Sequence, residues 1–124
     1  MAKIAIIEDE AAIRRMYALK LKFSEFEVCE AEDGEHGLVI IEEHKPDLVL
    51  LDLRMPKMDG VELLKNLDLA KNYPKTKVIV FSNYDVQEDI DKAFELGATR
   101  YMLKAWASPK ELVRVVKDTL KNKG

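Results

Sequence analysis

A chain of 124 residues, 48% of them apolar and 35% charged, is long enough to bury one substantial core and too short for two. Its net charge of −3, with both signs intermixed, argues against a nucleic-acid-binding surface, and the basic lean of the last twenty residues, broken by Glu111 and Asp118, reads as a solvated helix face. The single cysteine excludes an internal disulfide, no stretch approaches membrane-spanning length and no signal peptide is recognisable, so a cytoplasmic location without membrane attachment is expected.

Residues 3–8, KIAIIE, form the first apolar run and predict a strand that ends in Glu8-Asp9-Glu10. A helical pattern over 10–22 follows, then a second strand at 27–31, EVCEA, in which Cys29 reads as a small core residue. The second helix spans 35–44; His36 and His44 lie on it eight residues apart, too far for a metal pair, and are expected on the surface. DLVLLD, 47–52, is apolar without alternation until it closes on Asp52, as in a strand covered on both faces. Pro56 stops that strand, Leu53-Arg54-Met55 reads as a short fixed loop whose carbonyls face the rim, and Asp59-Gly60 is expected to turn tightly into a third helix over 60–70.

KVIVFS, 77–82, is the fourth strand and leads to Ser82-Asn83. Val86, Ile90, Ala93 and Phe94 make one stripe of a fourth helix over 86–96, stopped by Gly97. RYMLK, 100–104, is the fifth strand. Ser108 as N-cap, Pro109 and Glu111 then open a fifth helix over 109–122, whose apolar residues are Leu112, Val113, Val116 and Leu120. The sum is α/β: a (βα)5 doubly wound sheet of five parallel strands in order 2-1-3-4-5, one domain over residues 1–124.

Sites in such sheets lie beyond the carboxyl ends of the strands. Here those ends carry Glu8 and Asp9, Asp52, Ser82 and Lys104 on one rim. Two carboxylates about 5 Å apart repel by roughly 3 kcal/mol at an effective dielectric of 20, so a cation is required: Lys104, or a hard divalent ion such as Mg2+. A carboxylate can attack phosphorus to give an aspartyl phosphate, and the transferring oxygens need a metal, a lysine and a hydroxyl donor. Asp52, Glu8 with Asp9, Lys104 and Ser82 have the right chemistry for those roles. Each also has a plainer reading: first-turn acids of a helix for residues 8–10, a turn serine, a surface lysine. Only Asp52 resists one, since an acid closing a buried strand needs a partner.

IIEDE, LLDLRMPKMDG, VFSNYD and RYMLK together make the chain resemble the receiver (phosphoacceptor) domain of two-component response regulators over essentially its whole length. The resemblance implies a flavodoxin-like fold with Asp52 as phosphoacceptor. It implies Mg2+ bound by Glu8, Asp9, Asp52 and the Arg54 backbone carbonyl, Ser82 as switch hydroxyl, Tyr101 as the aromatic that changes rotamer, and Lys104 as the phosphoryl-pairing lysine. The implied donor is a histidine kinase or phosphotransfer protein. The implied output is a changed surface over the fourth helix, fifth strand and fifth helix, controlling a downstream protein or a fused effector domain. Arg54 and Tyr84, two residues beyond Asp52 and Ser82, sit where their side chains would tune the lifetime of the acyl phosphate.

The chain departs from the family pattern at two places. Glu8 stands where many members have aspartate, and Ala105 where proline usually follows the lysine, which predicts a trans Lys104–Ala105 bond because a cis bond there costs about 2.5–4 kcal/mol. Trp106 keeps an aromatic two residues after the lysine, as many members do. Three rivals remain. An aspartyl-nucleophile phosphatase would need a second acid where Arg54 stands, so at most slow self-dephosphorylation is expected and not enzymatic turnover. A flavodoxin-like cofactor binder would need a phosphate loop where Glu8-Asp9-Glu10 would repel phosphate. A degenerate receiver, serving as a phosphorylation-independent docking module, is disfavoured by intact Asp52, Ser82 and Lys104.

Overall fold

The computed structural model describes residues 1–82, 87–104 and 108–121. Five strands, β1 (Lys3–Ile7), β2 (Glu27–Ala31), β3 (Leu48–Asp52), β4 (Lys77–Ser82) and β5 (Arg100–Leu103), pair in parallel in the order β2-β1-β3-β4-β5. The expected sheet is the observed one. All five residues of β3 are buried, as the unbroken run Leu48–Leu51 requires, whereas the edge strand β5 is half-buried throughout.

The helices are α1 (Ala11–Phe23), α2 (Gly34–His44), α3 (Gly60–Leu67), α4 (Leu69–Asn72), α5 (Gln87–Glu95) and α6 (Pro109–Lys121). Strand alternation divides the core in two. Ile4, Ile6, Leu48, Leu50, Ile79 and Phe81 face α1 and α6, where Tyr17, Leu21, Leu112 and Val116 meet them. Ala5, Ile7, Val49, Leu51, Val78 and Val80 face α2, α3 and α5, represented by Ile41, Leu63, Leu64 and Ile90.

The third helix does not run unbroken over 60–70. Asp68 adopts the left-handed conformation at φ 48° and separates α3 from the single turn α4. The cause is packing: Leu67 and Leu69 are both buried, and residues two apart point to different sides of a continuous helix. Bending the chain at Asp68, a residue type that tolerates this region, lets both reach the core. The fourth-helix stripe also needs correction: Ile90 and Ala93 are buried, but Phe94 is 43% exposed, and Val86 lies outside the described residues. Gly97, at φ +109°, ends α5 as expected.

Among the described residues, three helix starts are capped by side chains. Asp33 accepts from His36 N–H at 2.8 Å, Asp59 from Glu62 N–H at 2.9 Å and Ser108 from Glu111 N–H at 3.1 Å. Glu10, at the start of α1, makes no such bond, so capping does not account for the acids at 8–10. His36 and His44 are exposed. Cys29 is half-buried rather than fully enclosed; burial pushes its thiol above the usual range, and it donates weakly to the Ile4 carbonyl at 3.8 Å.

Candidate functional site

Glu8 follows Ile4 and Ile6 in alternation, and Asp52 follows Leu48 and Leu50, so both carboxylates emerge on the α1/α6 side of the sheet. Asp52 is paired in register with Phe81, and the Lys104 ammonium stands 5.3 Å over the Phe81 ring. Tyr17 packs edge-on against the same ring, with centroids 5.3 Å apart. Apolar and aromatic groups thus wall three ionisable side chains out of water: Glu8 is 0% exposed, Asp52 3% and the Lys104 side chain 6%.

Lys104 donates to both acids, to Asp52 Oδ2 at 3.0 Å and to Glu8 Oε1. The other Asp52 oxygen, Oδ1, accepts from the Arg54 backbone N–H at 3.1 Å. Glu8 is less well served, since its Oε2 is buried without a hydrogen-bond partner among the described residues. Burial, followed by the adjoining Asp52 carboxylate, pushes the Glu8 carboxyl from its ordinary 4.5 to about 8, against the pull of Lys104. For Lys104 burial works to lower the pKa, but its bonds to Glu8 and Asp52 outweigh this and hold the ammonium above its ordinary range. The site therefore carries one fixed positive charge between two acids, one of which readily keeps a proton.

Asp9, exposed on the rim, completes a cluster in which one carboxylate oxygen each from Glu8, Asp9 and Asp52 lie within 4.8 Å of one another. Asp9 also lines a shallow cleft of about 360 Å³ with Arg54, Met55, Pro56 and Asp59. Three carboxylates, one of which carries a buried oxygen with no partner among the described residues, fit a hard divalent cation.

The loop after Asp52 is held by its backbone. Leu53 carbonyl accepts from Gly60 N–H at 3.0 Å, so that carbonyl is turned into the loop and not, as expected, onto the rim. Lys57, at φ 68°, makes the tight turn, closed by Met58 N–H to Pro56 carbonyl at 2.8 Å. Gly60 was expected to turn the chain; its actual role is space. A Cβ there would stand 2.7 Å from the Asp52 carbonyl oxygen and 2.8 Å from Leu53 Cα. Helix α3 can dock against the strand end only because residue 60 has no side chain.

Ser82 closes β4 fully buried, alternating with Val78 and Val80 and thus falling on the α5 side of the sheet. Tyr101, paired in register with Val80, is half-buried and packs against that same core. Asp52 and Lys104 are therefore on one face, Ser82 and Tyr101 on the other, joined at the strand tips. The Arg54 side chain reaches α5, where Nη2 pairs with Asp89 Oδ2 at 3.1 Å. Tyr84, Ala105 with the Lys104–Ala105 bond, and Trp106 lie outside the described residues.

Sequence reasoning missed two contributors. Arg14 donates from Nη1 to the Glu8 backbone carbonyl at 2.8 Å and from Nε to Glu30 at 3.2 Å, bracing the turn that presents Glu8 and Asp9. Its position one turn into α1 is the signal that was available. Asp89 was the other; nothing distinguishes it in sequence from any acid in a helix's first turn.

Comparison with known proteins agrees with this geometry. The family profile described as "Response regulator receiver domain" matches residues 4–117. The "Uncharacterized transcriptional regulatory protein YhcZ" of Bacillus subtilis is 40% identical over 116 residues, covering 90% of this chain and 52% of that protein. A CheY-like response regulator receiver domain protein from Methanospirillum hungatei superposes with a TM-score of 0.89 at 30% identity, covering 97% of this chain and 94% of that one. The Vibrio cholerae chemotaxis protein CheY4 gives 0.87 at 26% identity, over 96% of this chain and 98% of that one. The chain spans about half the length of the curated relatives it matches.

Proposed function

The chain belongs to the response regulator receiver family, and we propose that it is a single receiver domain over residues 1–124 that works as a phosphorylation-dependent signalling switch, with Asp52 as phosphoacceptor. The observation that supports this reading is the Asp52 carboxylate itself, nearly enclosed at the end of a buried strand yet anchored at each oxygen, by Lys104 at 3.0 Å and the Arg54 N–H at 3.1 Å.

A histidine kinase or phosphotransfer protein is the proposed donor. An Asp52 oxygen bonds to phosphorus, the bond from phosphorus to the donor imidazole nitrogen breaks, and that nitrogen leaves with the electron pair. Lys104 offsets the charge on the phosphoryl oxygens and the fixed loop amide helps to orient the carboxylate. Glu8, Asp9 and Asp52, with the Arg54 backbone carbonyl, would hold Mg2+, which when bound neutralises charge on those oxygens. A guanidinium at Arg54, two residues on, cannot take a proton from water as a general base does, so the domain receives the group and loses it slowly instead of turning it over as an enzyme.

The new acceptor oxygens on Asp52 draw the Ser82 hydroxyl, the β4 tip moves, and Tyr101 turns into the space vacated. The surface over α5, β5 and α6 changes shape and controls a downstream protein or a fused effector domain. This chain makes no direct contact with nucleic acid in that scheme and acts in the cytoplasm. Among the described residues, no helix is long and apolar enough to cross a membrane.

The test is incubation of the intact protein and an Asp52→Asn variant with Mg2+ and acetyl phosphate, followed by mass spectrometry. One added phosphoryl group on the intact protein and none on the variant is expected. Unmodified intact protein would sink the reading and leave a docking module that works without phosphorylation.

A further inference from the structure

Arg54 is held at both ends by different elements. Its backbone N–H is on Asp52 Oδ1 at 3.1 Å, in a loop pinned by the Gly60–Leu53 hydrogen bond and by the close seating of Gly60. Its guanidinium is 3.1 Å from Asp89 in the first turn of α5. The side chain is 48% exposed and lines the cleft that Asp9 also lines.

With its Cα fixed two residues from Asp52, the guanidinium has two anionic destinations. One is the Asp89 carboxylate. The other is created only when Asp52 carries a phosphoryl group, whose oxygens match a planar fork of N–H donors better than any single carboxylate oxygen does. The guanidinium cannot serve both fully.

Resting on the phosphoacceptor reading above, we propose that Asp89 is a positioning residue that competes with the acyl phosphate for Arg54. While Asp89 holds the guanidinium, the phosphoryl group stays open to water. When Arg54 transfers to the phosphoryl oxygens it covers the line of water attack and, in the same movement, unties the loop from the first turn of α5. One exchange then both lengthens the phosphorylated state and loosens the helix that bounds the changing surface.

The experiment follows the loss of phosphoryl mass after donor removal in wild type, Asp89→Asn, Asp89→Glu, Arg54→Ala and the Asp89→Asn/Arg54→Ala pair. It is combined with amide hydrogen exchange over α5 before and after phosphorylation. Asp89→Asn is expected to slow dephosphorylation two- to tenfold, Asp89→Glu to return it to within twofold of wild type, and the double variant to match Arg54→Ala. In wild type the first turn of α5 should exchange faster once Asp52 is phosphorylated; in Arg54→Ala it should exchange fast in both states. A rate for Asp89→Asn equal to or faster than wild type, or a slowing that survives removal of Arg54, would overturn the inference while leaving Asp52 as acceptor. Failure of wild type to take up any phosphoryl group would overturn the functional reading and this one with it.

Discussion

One ammonium serves two carboxylates: Lys104 Nζ donates to Asp52 Oδ2 at 3.0 Å and, on its other side, to Glu8 Oε1. The site is therefore balanced only if one acid keeps its proton, and the burial of Glu8 with an unpartnered oxygen marks which one does.

Replacing Lys104 by Met removes that balance. Breaking a buried ion pair by deleting one partner costs up to about 3–5 kcal/mol, but a protonated Glu8 and the remaining Arg54 N–H bond to Asp52 soften the loss. The expected destabilisation is about 1–3 kcal/mol in urea unfolding, with phosphoryl uptake from acetyl phosphate slowed at least tenfold. Unchanged uptake would remove Lys104 from the chemistry.

Stability without metal should fall with rising pH. The Glu8 carboxyl titrates near 8 when folded against 4.5 ordinarily, so between those values the folded state binds the extra proton. Its stabilising contribution is full below about 4.5 and disappears as pH passes 8, whereas Lys104, held above its ordinary range, is still charged throughout that window. In chelator, the drop from this group is on the order of 3–5 kcal/mol, read from urea midpoints at a series of pH values. Glu8→Gln should flatten that fall.

Divalent ion should reverse it. Mg2+ needs deprotonated oxygens, so its binding ought to strengthen from pH 6 to 8.5 and to raise the thermal midpoint most at the upper end. Asp9→Asn and Asp52→Asn should each weaken Mg2+ at least tenfold in calorimetric titration. Equal affinity across the pH range would remove Glu8 from the donor set.

Gly60→Ala tests the seating of the loop. The added Cβ would meet the Asp52 carbonyl oxygen at 2.7 Å, and backbone atoms on a buried strand have no room to retreat. A loss of about 1–3 kcal/mol is expected, with slower phosphoryl uptake because the Arg54 amide moves off Asp52. Gly34→Ala is a useful companion: its Cβ would press on Met58, 2.6 Å from the carbonyl oxygen, on the outer side of the same loop.

How much could be read in advance depended on whether one residue type answers one physical need. Leu48 to Leu51 point to a strand covered on both faces, and Ser108-Pro109 with Glu111 to a helix start, so the buried central strand and the last helix followed. The meeting of Asp52, Glu8, Asp9 and Lys104 on one rim was likewise legible, because alternation carries Glu8 and Asp52 to a common face. Asp68 was not: its left-handed turn is dictated by two leucines that must both be buried, a constraint visible only with the core assembled. Nor was the direction of the Arg54 side chain, since a long flexible cation is placed by whichever acid is nearest in space. Gly60 was noticed for the wrong reason, a turn in place of a close approach.

The division of labour across the sheet has a further corollary. Phe81 and Ser82 are adjacent in the chain yet face opposite sides of the sheet, the first beneath the lysine, the second on the side where Val78 and Val80 lie. Asp52 with Lys104 and Ser82 with Tyr101 thus stand on opposite sides of a wall five strands wide. Such a partition would let side chains packed on one side of the sheet be exchanged without repacking the other.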